Sequence, residues 1–262
     1  MIRSEDQLGI IHEFSQAPRR IVSIVPSQTE LLYDLGLTSE VVGITKFCIH
    51  PEEWFRTKTR VGGTKNVNIE KVRELNPDLI IGNKEENTLN DIQELREIAP
   101  VWMSDIYSLQ DALEMIKSLG SLCLRGNEGL LLANRIEQNF DQLTPVEEHK
   151  RILYFIWKDP YMAAAKNTFI DHILTEHLGL VNALVDEERY PSVELSQIEA
   201  PELIFLSSEP YPFNESHIEG LTKRFPNSKV ILVDGEYFTW YGSRLEGAPK
   251  YFAELLQSLK LH

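Results

Sequence analysis

Apolar residues recur at helical spacing through the middle of the chain, over residues 108–143, with polar residues between them. They form two series separated by a break at residues 125–127: Leu109, Ala112, Leu113, Ile116, Leu119 and Cys123, then Leu132, Ile136, Phe140 and Leu143. The pattern predicts two helices. The second, over residues 128–144, would be roughly 25 Å long at ~1.5 Å per residue, enough to join two lobes. Two ordinary core helices are the alternative that spacing alone leaves open.

The segments before and after these helices repeat one pattern. A strand is predicted at residues 21–25, followed by a helix that ends at Gly36. A second strand is predicted at residues 152–157, followed by a helix over residues 169–178 that ends at Gly179. Residues 69–87 match residues 195–213, and residues 101–105 match residues 230–234. The matches keep their order, and each is offset by about 130 residues, which predicts a duplicated α/β lobe. Residues 1–18 form a polar lead-in with an edge strand at residues 8–11.

Strands that alternate with helices predict parallel sheets. We therefore expect an α/β protein with an N-terminal lobe at residues 19–125, a bridging helix at 126–149 and a C-terminal lobe at 150–262. In such sheets, ligands bind beyond the carboxyl ends of the strands. The candidate ligand-binding residues selected by this rule are Ser27, Gln28, Lys84, Glu85 and Asn87 in the first lobe, and Trp157, Glu209, Tyr211, Glu236, Trp240 and Tyr241 in the second. Phe213, as a further aromatic residue, and Arg244, just before the last helix, are added to these candidates.

The aromatic candidates would line a cleft between the lobes that suits a large, flat, partly apolar ligand. Arg244 could pair with a carboxylate or phosphate of the ligand, or bond loop carbonyls at a helix start. Lys84 and Glu85 belong to a run of polar residues that a solvated loop also explains. Trp54 and Trp102 are predicted to lie in the core or on a helix face.

Cys48 and His50 stand two residues apart, so in an extended segment their side chains would point to the same side. A soft metal or the cobalt of a corrinoid could use such a pair. A zinc site needs about four ligands, and the sequence has no second Cys-His cluster. We therefore expect no metal site built from side chains alone. The alternatives are a buried Cys48 with His50 capping a turn, or His50 as a contact to a bound chelate.

Composition limits the class of protein. The chain has 262 residues, 42% of them hydrophobic, and no apolar run long enough to span a membrane. Its net charge is −14, which argues against binding nucleic acid or an anionic membrane. Two cysteines form no disulfide framework. Charged residues near the start and the short apolar pair Ile10 and Ile11 do not resemble a secretory signal, so we expect a cytoplasmic protein, or a periplasmic one if a leader has been removed.

Three stretches carry a resemblance to a known family: RIVSIVPSQTELLYDLGL, VGGTKNVNIEKVRELNPDLIIG and TWYGSRLEGAPKYFAELLQSL. Together they resemble the vitamin B12-binding and iron-chelate-binding periplasmic proteins of ABC importers, over about residues 19–261. The resemblance implies two lobes with parallel sheets joined by a helical backbone, the class III plan of periplasmic binding proteins. It also implies a receptor that binds a corrinoid, haem or ferric siderophore between its lobes and catalyses nothing.

The resemblance also assigns roles to particular residues. In the family, a glutamate on each lobe docks on arginines of the membrane permease; Glu70 is the counterpart in the first lobe, and Glu246 is the nearest candidate in the second. An aromatic stretch that contacts cobalamin in the B12 receptors corresponds here to Thr64, Lys65 and Asn66. Lys65 and Asn66 are therefore carried over as ligand candidates, and the missing aromatic residue argues against a literal transfer of B12 specificity.

The expected function is thus capture of a metal chelate, a cobalamin-like corrinoid first, for ABC-type uptake or intracellular handling. The ligand would be cargo, with no catalytic cofactor. A chelatase-like enzyme on the same two-lobe plan is the alternative, with Cys48, His50, Glu209 or Glu236 acting on the metal or on protons. A scaffold whose ligand site has decayed is a third. No serine hydrolase, P-loop or dinucleotide motif occurs in the sequence.

Overall fold

A computed structural model describes residues 1–260 and divides them into two compact units. Unit 1 comprises Met1–Ile106, Gln110–Glu137 and Trp240–Glu246; unit 2 comprises Tyr107–Leu109, Gln138–Thr239 and residues 247–260. Leu261 and His262, which the predicted second lobe includes, lie outside the described residues. The predicted lobe boundaries stay a prediction. None of the helices in the described part of the chain is both long and apolar enough to cross a membrane.

Unit 1 contains nine strands, four complete helices and most of two longer helices, whose first or last residues belong to unit 2. In order, its elements are β1 (Ile2–Glu5), β2 (Ile11–Phe14), β3 (Ile21–Ser23), α1 (Pro26–Asp34), β4 (Val41–Ile44), α2 (Glu52–Thr57), β5 (Thr59–Arg60), β6 (Gly62–Gly63), β7 (Asn66–Val67), α3 (Ile69–Glu74), β8 (Leu79–Asn83), α4 (Leu89–Arg96), β9 (Val101–Ser104), α5 (Leu109–Leu122) and α6 (Gly126–Asp141). A 3₁₀ helix, Ser243–Glu246, belongs to the same unit.

The main sheet of unit 1 has the strand order β5-β4-β3-β8-β9, and all of its pairs are parallel. Its central strands are runs of isoleucine, leucine and valine that are buried throughout, as expected for a sheet covered on both faces. Trp54 and Trp102 are both fully buried in this unit. The helix α1 begins at Pro26, shortly after β3, because proline is favoured in the first helical turn.

The N-terminal residues fold as an antiparallel hairpin of β1 and β2, with the turn where an edge strand was predicted. Asp6 is the reason for the turn: its carboxylate accepts hydrogen bonds from the backbone N–H groups of Leu8 and Ile10, at 3.0 and 2.8 Å. The hairpin is attached to β9, since the backbone N–H of Gln7 donates to the carbonyl of Met103. The lead-in is therefore part of the fold of unit 1.

Unit 2 contains the remaining elements. In order, they are β10 (Arg151–Trp157), β11 (Met162–Ala163), α7 (Phe169–His172), a π-helical turn (Ile173–His177), β12 (Val181–Asn182), β13 (Leu203–Ser207), α8 (Glu215–Arg224), β14 (Lys229–Val233), α9 (Glu236–Thr239) and α10 (Ala248–Leu259). Its sheet has the order β11-β10-β13-β14, with β12 also paired to β10. Only the short β11 runs antiparallel to its neighbour among the described strands of this sheet.

The two sheets repeat each other in strand order and in register. The sequence repeat relates β3, β8 and β9 to β10, β13 and β14, which occur in the same spatial order. In unit 1 Ile21 pairs with Leu79, and the matching residues Ile152 and Leu203 pair in unit 2. Likewise, Ile80 pairs with Val101, and their counterparts Ile204 and Val230 also pair. The duplication read from the sequence thus extends to individual backbone pairs.

The two predicted central helices are present as α5 and α6, with the break at residues 123–125. They cross closely at two glycines, because a Cβ on Gly120 would lie 3.1 Å from the Cα of Gly129. The chain passes from unit 1 to unit 2 inside α6, between Glu137 and Gln138.

Candidate functional site

Several unit 1 candidates are buried within that unit. Ser27 and Gln28 lie in the first turn of α1, and the Gln28 amide bonds the Ser104 hydroxyl on β9. Cys48 is also buried, with its sulfur 3.1 Å from the hydroxyl oxygens of both Thr29 and Thr45. Burial raises the pKa of the Cys48 thiol to about 11, so the thiol is protonated at neutral pH. Cys48 therefore packs as a small polar core residue and supplies no thiolate.

The loop after β8 is organised by amide side chains. Asn83 Oδ1 accepts from the backbone N–H groups of Glu85 and Glu86, at 2.8 and 3.1 Å. The amide nitrogen of Asn87 donates to the carbonyl of Thr64, at 2.9 Å, and its amide oxygen accepts from the Asn83 N–H, at 2.8 Å. Asn87 thus holds two loops of unit 1 together. The neighbouring Lys84 and Glu85 are less buried, and Lys65 and Asn66 are exposed. The ammonium of Lys84 pairs with Asp105 at 2.6 Å.

Trp240 lies in unit 1 between a cation and an imidazole. The Arg244 guanidinium is 4.7 Å from the Trp240 ring centre, and the His50 ring is 5.5 Å away, edge to face. Arg244 also forms a forked ion pair with Glu30 on α1, at 2.6 and 3.0 Å. Burial raises the pKa of the Glu30 carboxyl, and the Arg244 charge opposes that rise. Trp240 is almost fully buried in this arrangement, while His50 is half-buried.

The neighbours of Trp240 explain why this late segment lies on α1. A Cβ on Gly242 would come within 2.4 Å of the Ser27 carbonyl oxygen, so only glycine allows the close approach. Tyr241 is buried too, with its hydroxyl 3.5 Å from a Glu86 carboxylate oxygen. Residues 240–246 therefore cover the first turn of α1, and we call them the anchoring segment.

In unit 2, Glu209 and Glu236 lie at the carboxyl ends of β13 and β14, and both are half-buried. The Thr239 hydroxyl donates to the Glu209 carboxylate at 2.5 Å. The Glu236 backbone N–H donates to Asp234, at 3.1 Å, at the start of α9. Glu209 thus accepts a hydrogen bond from another residue of unit 2.

An aromatic cluster lies at the same end of the unit 2 sheet. Trp157, the last residue of β10, is 41% exposed, and its ring meets that of Tyr211 edge to face, with centres 5.6 Å apart. Phe213 is buried against Tyr211, at 4.7 Å. These three residues, Trp157, Tyr211 and Phe213, form what we call the aromatic edge. Such a surface suits a flat ligand with apolar faces.

Sequence reasoning missed a fourth member, His217, in the first turn of α8. Its Nε2 lies 3.3 Å from the Tyr211 hydroxyl oxygen, and its Nδ1 accepts the backbone N–H of Asn214 at 3.1 Å. The spacing from Asn214 to His217 is that of a capping box, in which the third residue is usually Glu or Gln. With histidine in that position, the sequence does not match the usual capping-box pattern.

The described residues contain no group of three or more His, Cys, Asp or Glu side chains placed to hold a metal ion. Cys48 and His50 do not form a pair in the described contacts: the thiol faces two hydroxyls, whereas the imidazole faces Trp240.

The predicted docking residues both lie in unit 1. Glu70 is 77% exposed on α3, with Arg73 3.7 Å away. Glu246 forms an ion pair with Arg135 on α6, at 2.6 Å. The sequence repeat offers another residue in unit 2: Glu194 precedes Pro201 by the same number of residues as Glu70 precedes Pro77, and it is exposed. The matching register of β8 and β13 gives this equivalence a structural basis.

Two units whose related strands are parallel and pair in matching register have the α/β architecture of class III periplasmic binding proteins. The sequence matches the family described as periplasmic binding protein over residues 21–224, and the chain belongs to this family. The resemblance stated from the motifs is confirmed.

The relatives are described as binding different ligands. The vitamin B12-binding protein of Vibrio cholerae serotype O1 is 27% identical over 195 residues, which cover 72% of this chain and 70% of the relative. A petrobactin-binding protein from Bacillus subtilis has a similar structure, with a TM-score of 0.81, 17% identity and 98% of each chain covered. A periplasmic heme-binding protein from Pseudomonas aeruginosa has a TM-score of 0.75 and 20% identity, covering 92% of this chain and 94% of that one. The two structures confirm the predicted fold class.

The cytoplasmic location that we expected is wrong. The chain belongs to a family of periplasmic binding proteins, and the heme-binding relative is itself described as periplasmic. Our expectation rested on the composition of the first residues, which form the hairpin of β1 and β2 on unit 1. Their charged and polar pattern follows from this fold and carries no information about the compartment.

Proposed function

We propose that this protein captures a metal chelate without covalent chemistry and presents it to an ABC-type importer. A corrinoid is the first candidate, with haem or a ferric siderophore next. The observation that carries the proposal is the family match over residues 21–224, because relatives with this fold are described as binding vitamin B12, heme and petrobactin.

The aromatic edge supports a ligand of this kind. Corrins and porphyrins are broad, flat and partly apolar, and Trp157, which is 41% exposed, offers such a ligand a stacking or edge contact. The edge lies beyond the carboxyl ends of β10 and β13, where ligands of parallel sheets bind. We propose Trp157 and Tyr211 as its main contacts.

The metal should arrive already chelated. Cys48 is buried and its thiol is protonated at neutral pH, so it is a poor metal ligand. His50 is half-buried beside Trp240, and it stays our candidate for a direct contact to the chelate. The protein would then recognise the organic shell of the chelate and hold it by non-covalent contacts.

We also propose that Glu70 and Glu194 contact the permease, one from each unit. Both are exposed carboxylates at equivalent positions of the duplicated sequence, and each lies nine residues before the start of the strand that follows it, β8 in unit 1 and β13 in unit 2. Glu246 is less suited to this role because it is 41% exposed and pairs with Arg135 at 2.6 Å, whereas Glu70 is 77% exposed and its nearest arginine nitrogen is 3.7 Å away.

Calorimetric titration with cyanocobalamin, hemin and ferric petrobactin tests the ligand class. We expect saturable one-to-one binding of at least one probe. Trp157→Ala should weaken it at least about fivefold, since an aromatic contact contributes about 1 kcal/mol beyond its buried area. Leu131→Ala, which shortens an exposed apolar side chain on α6, is the control and should bind normally. A wild-type protein that binds none of the three probes would overturn the proposal.

Uptake of the bound probe by cells that depend on this protein tests the permease contacts. Charge reversal by Glu70→Arg or Glu194→Arg should leave the affinity for the probe unchanged and abolish uptake, because the exposed carboxylates would act only on the permease. The matched control is Glu219→Arg on α8, another exposed carboxylate of unit 2. Normal uptake by both docking variants would reject these contacts.

A further inference from the structure

Tyr211 is held at its hydroxyl by His217. The His217 Nε2 lies 3.3 Å from the Tyr211 oxygen, and the two ring centres are 5.6 Å apart. Phe213 packs against both rings, at 4.7 Å from Tyr211 and 5.3 Å from His217. The Tyr211 ring in turn meets Trp157. A chain of contacts therefore runs from the first turn of α8 to the exposed indole.

The hydrogen bonds of His217 determine which ring nitrogen carries the proton. A backbone N–H can only donate, so the nitrogen that meets the Asn214 N–H, Nδ1, must accept. The neutral imidazole then has its proton on Nε2, which donates to the Tyr211 oxygen. Tyr211 consequently directs its own hydroxyl hydrogen elsewhere, and that hydrogen can be offered to a ligand.

The capping box makes this arrangement rigid. Asn214 caps α8 with its side chain, while His217 returns a bond to the Asn214 backbone, so both residues are fixed by the helix start. The imidazole can therefore hold the Tyr211 ring at little further entropic cost, because its rotamer is already restricted.

We propose that His217 is a positioning residue that keeps Tyr211 as a hydrogen-bond donor beside Trp157. The aromatic edge would then select flat chelates that carry an acceptor at their rim, such as a carboxylate or an amide carbonyl. This inference rests on the proposed function and adds to it the chemical group that the edge recognises.

Three variants test it: His217→Gln, Tyr211→Phe and the double variant. Glutamine at the third helical position keeps the capping box, so the stability of α8 is retained while the bond to Tyr211 is lost. Phenylalanine keeps the ring and removes the hydroxyl. We expect each single variant to weaken binding of cyanocobalamin or hemin about fivefold, as for one neutral hydrogen bond. The double variant should be no weaker than Tyr211→Phe, because both changes remove the same interaction.

Two outcomes overturn the inference: His217→Gln binding like the wild type, or losses that multiply in the double variant. Acrylamide quenching of Trp157 in the ligand-free protein gives a readout independent of ligand binding, with Trp157→Phe identifying the signal. We expect faster quenching in both single variants, because a released Tyr211 covers the indole less. If the wild type binds no chelate, the proposed function fails, and the quenching experiment alone tests the role of His217. Quenching of Trp157 at the wild-type rate in the single variants would refute that role, and faster quenching would support it.

Discussion

Replacing Arg244 by Met tests how the anchoring segment is held on unit 1. Arg244 and Glu30 are only 15% and 18% exposed, so the change leaves a nearly buried carboxylate without its forked partner. Methionine keeps an apolar chain against Trp240 but gives up the cation–π contact. Loss of one partner of a buried pair costs 3–5 kcal/mol, and the residual exposure favours the lower end, so we expect about 3 kcal/mol near pH 8.

The pH dependence of this loss distinguishes charge from packing. Burial raises the pKa of Glu30 above its ordinary value of 4.5 in the folded state, and without Arg244 the pKa rises further. A raised pKa means that the stability contributed by the group is present at low pH and is lost as the pH rises through the folded value. Near pH 4 the carboxyl is largely neutral and needs no cation, so the loss should shrink to about 1 kcal/mol, the cation–π part.

Urea unfolding of the wild type, Arg244→Met and Arg244→Met with Glu30→Gln, at about pH 4, 6 and 8, measures these terms. The double variant should recover about 2 kcal/mol relative to the single variant near pH 8, because glutamine carries no charge to leave unpaired. A loss that does not change with pH, or a double variant no more stable than Arg244→Met, would refute the reasoning.

Three further predictions concern buried groups. Burial lowers the pKa of His177 from 6.5 to about 4, so the free energy of unfolding should fall as the pH drops from 6.5 towards 4. We expect a fall of about 1–2 kcal/mol because the ring is partly exposed. In urea titrations His177→Leu should flatten this pH dependence, and an unchanged pH dependence would contradict the assignment. Burial raises the pKa values of Cys48 and Cys123 to about 11 and about 12, so both thiols should react with Ellman's reagent at least ~100-fold more slowly in the folded than in the urea-unfolded protein; rapid labelling of the folded protein would count against it. Asp6→Ala should lower the free energy of unfolding by about 2–3 kcal/mol in thermal or urea unfolding, because Asp6 accepts hydrogen bonds from several backbone N–H groups. His12→Ala should cost less, because Asp6 keeps those bonds. Equal losses for the two variants would reject the argument.

Much of the fold could be predicted because its signals are local and repeated. The strands that begin at Ile21 and Ile152 are short apolar runs, and the predicted duplication agrees with the structure, in which Ile80 pairs with Val101 and their counterparts Ile204 and Val230 also pair. The π-helical turn at Ile173–His177 has no such signal, since the sequence there has an ordinary helical period.

The candidate site was less predictable because its contacts are distant in sequence. Trp240 follows a strand end, which locally suggests exposure, but it is buried by Arg244 and His50. The partner of Arg244 on α1 is 214 residues away, and no local pattern reports it. By contrast, Trp157 and Tyr211 lie at ends of adjacent strands, so the topology of the sheet was enough to bring them together.

The anchoring segment has a consequence for how the protein is made. The ribosome synthesises residues 1–137 long before residues 240–246. The first turn of α1 and Glu30 can therefore make their contacts with Trp240, Gly242 and Arg244 only after all of β10 to β14 has been synthesised. During that interval the first turn of α1 lacks the residues that cover it, and the Glu30 carboxylate lacks its guanidinium partner. The N-terminal half of the chain is therefore an incomplete folding unit, and we expect it to reach its final stability only after residues 240–246 have been synthesised.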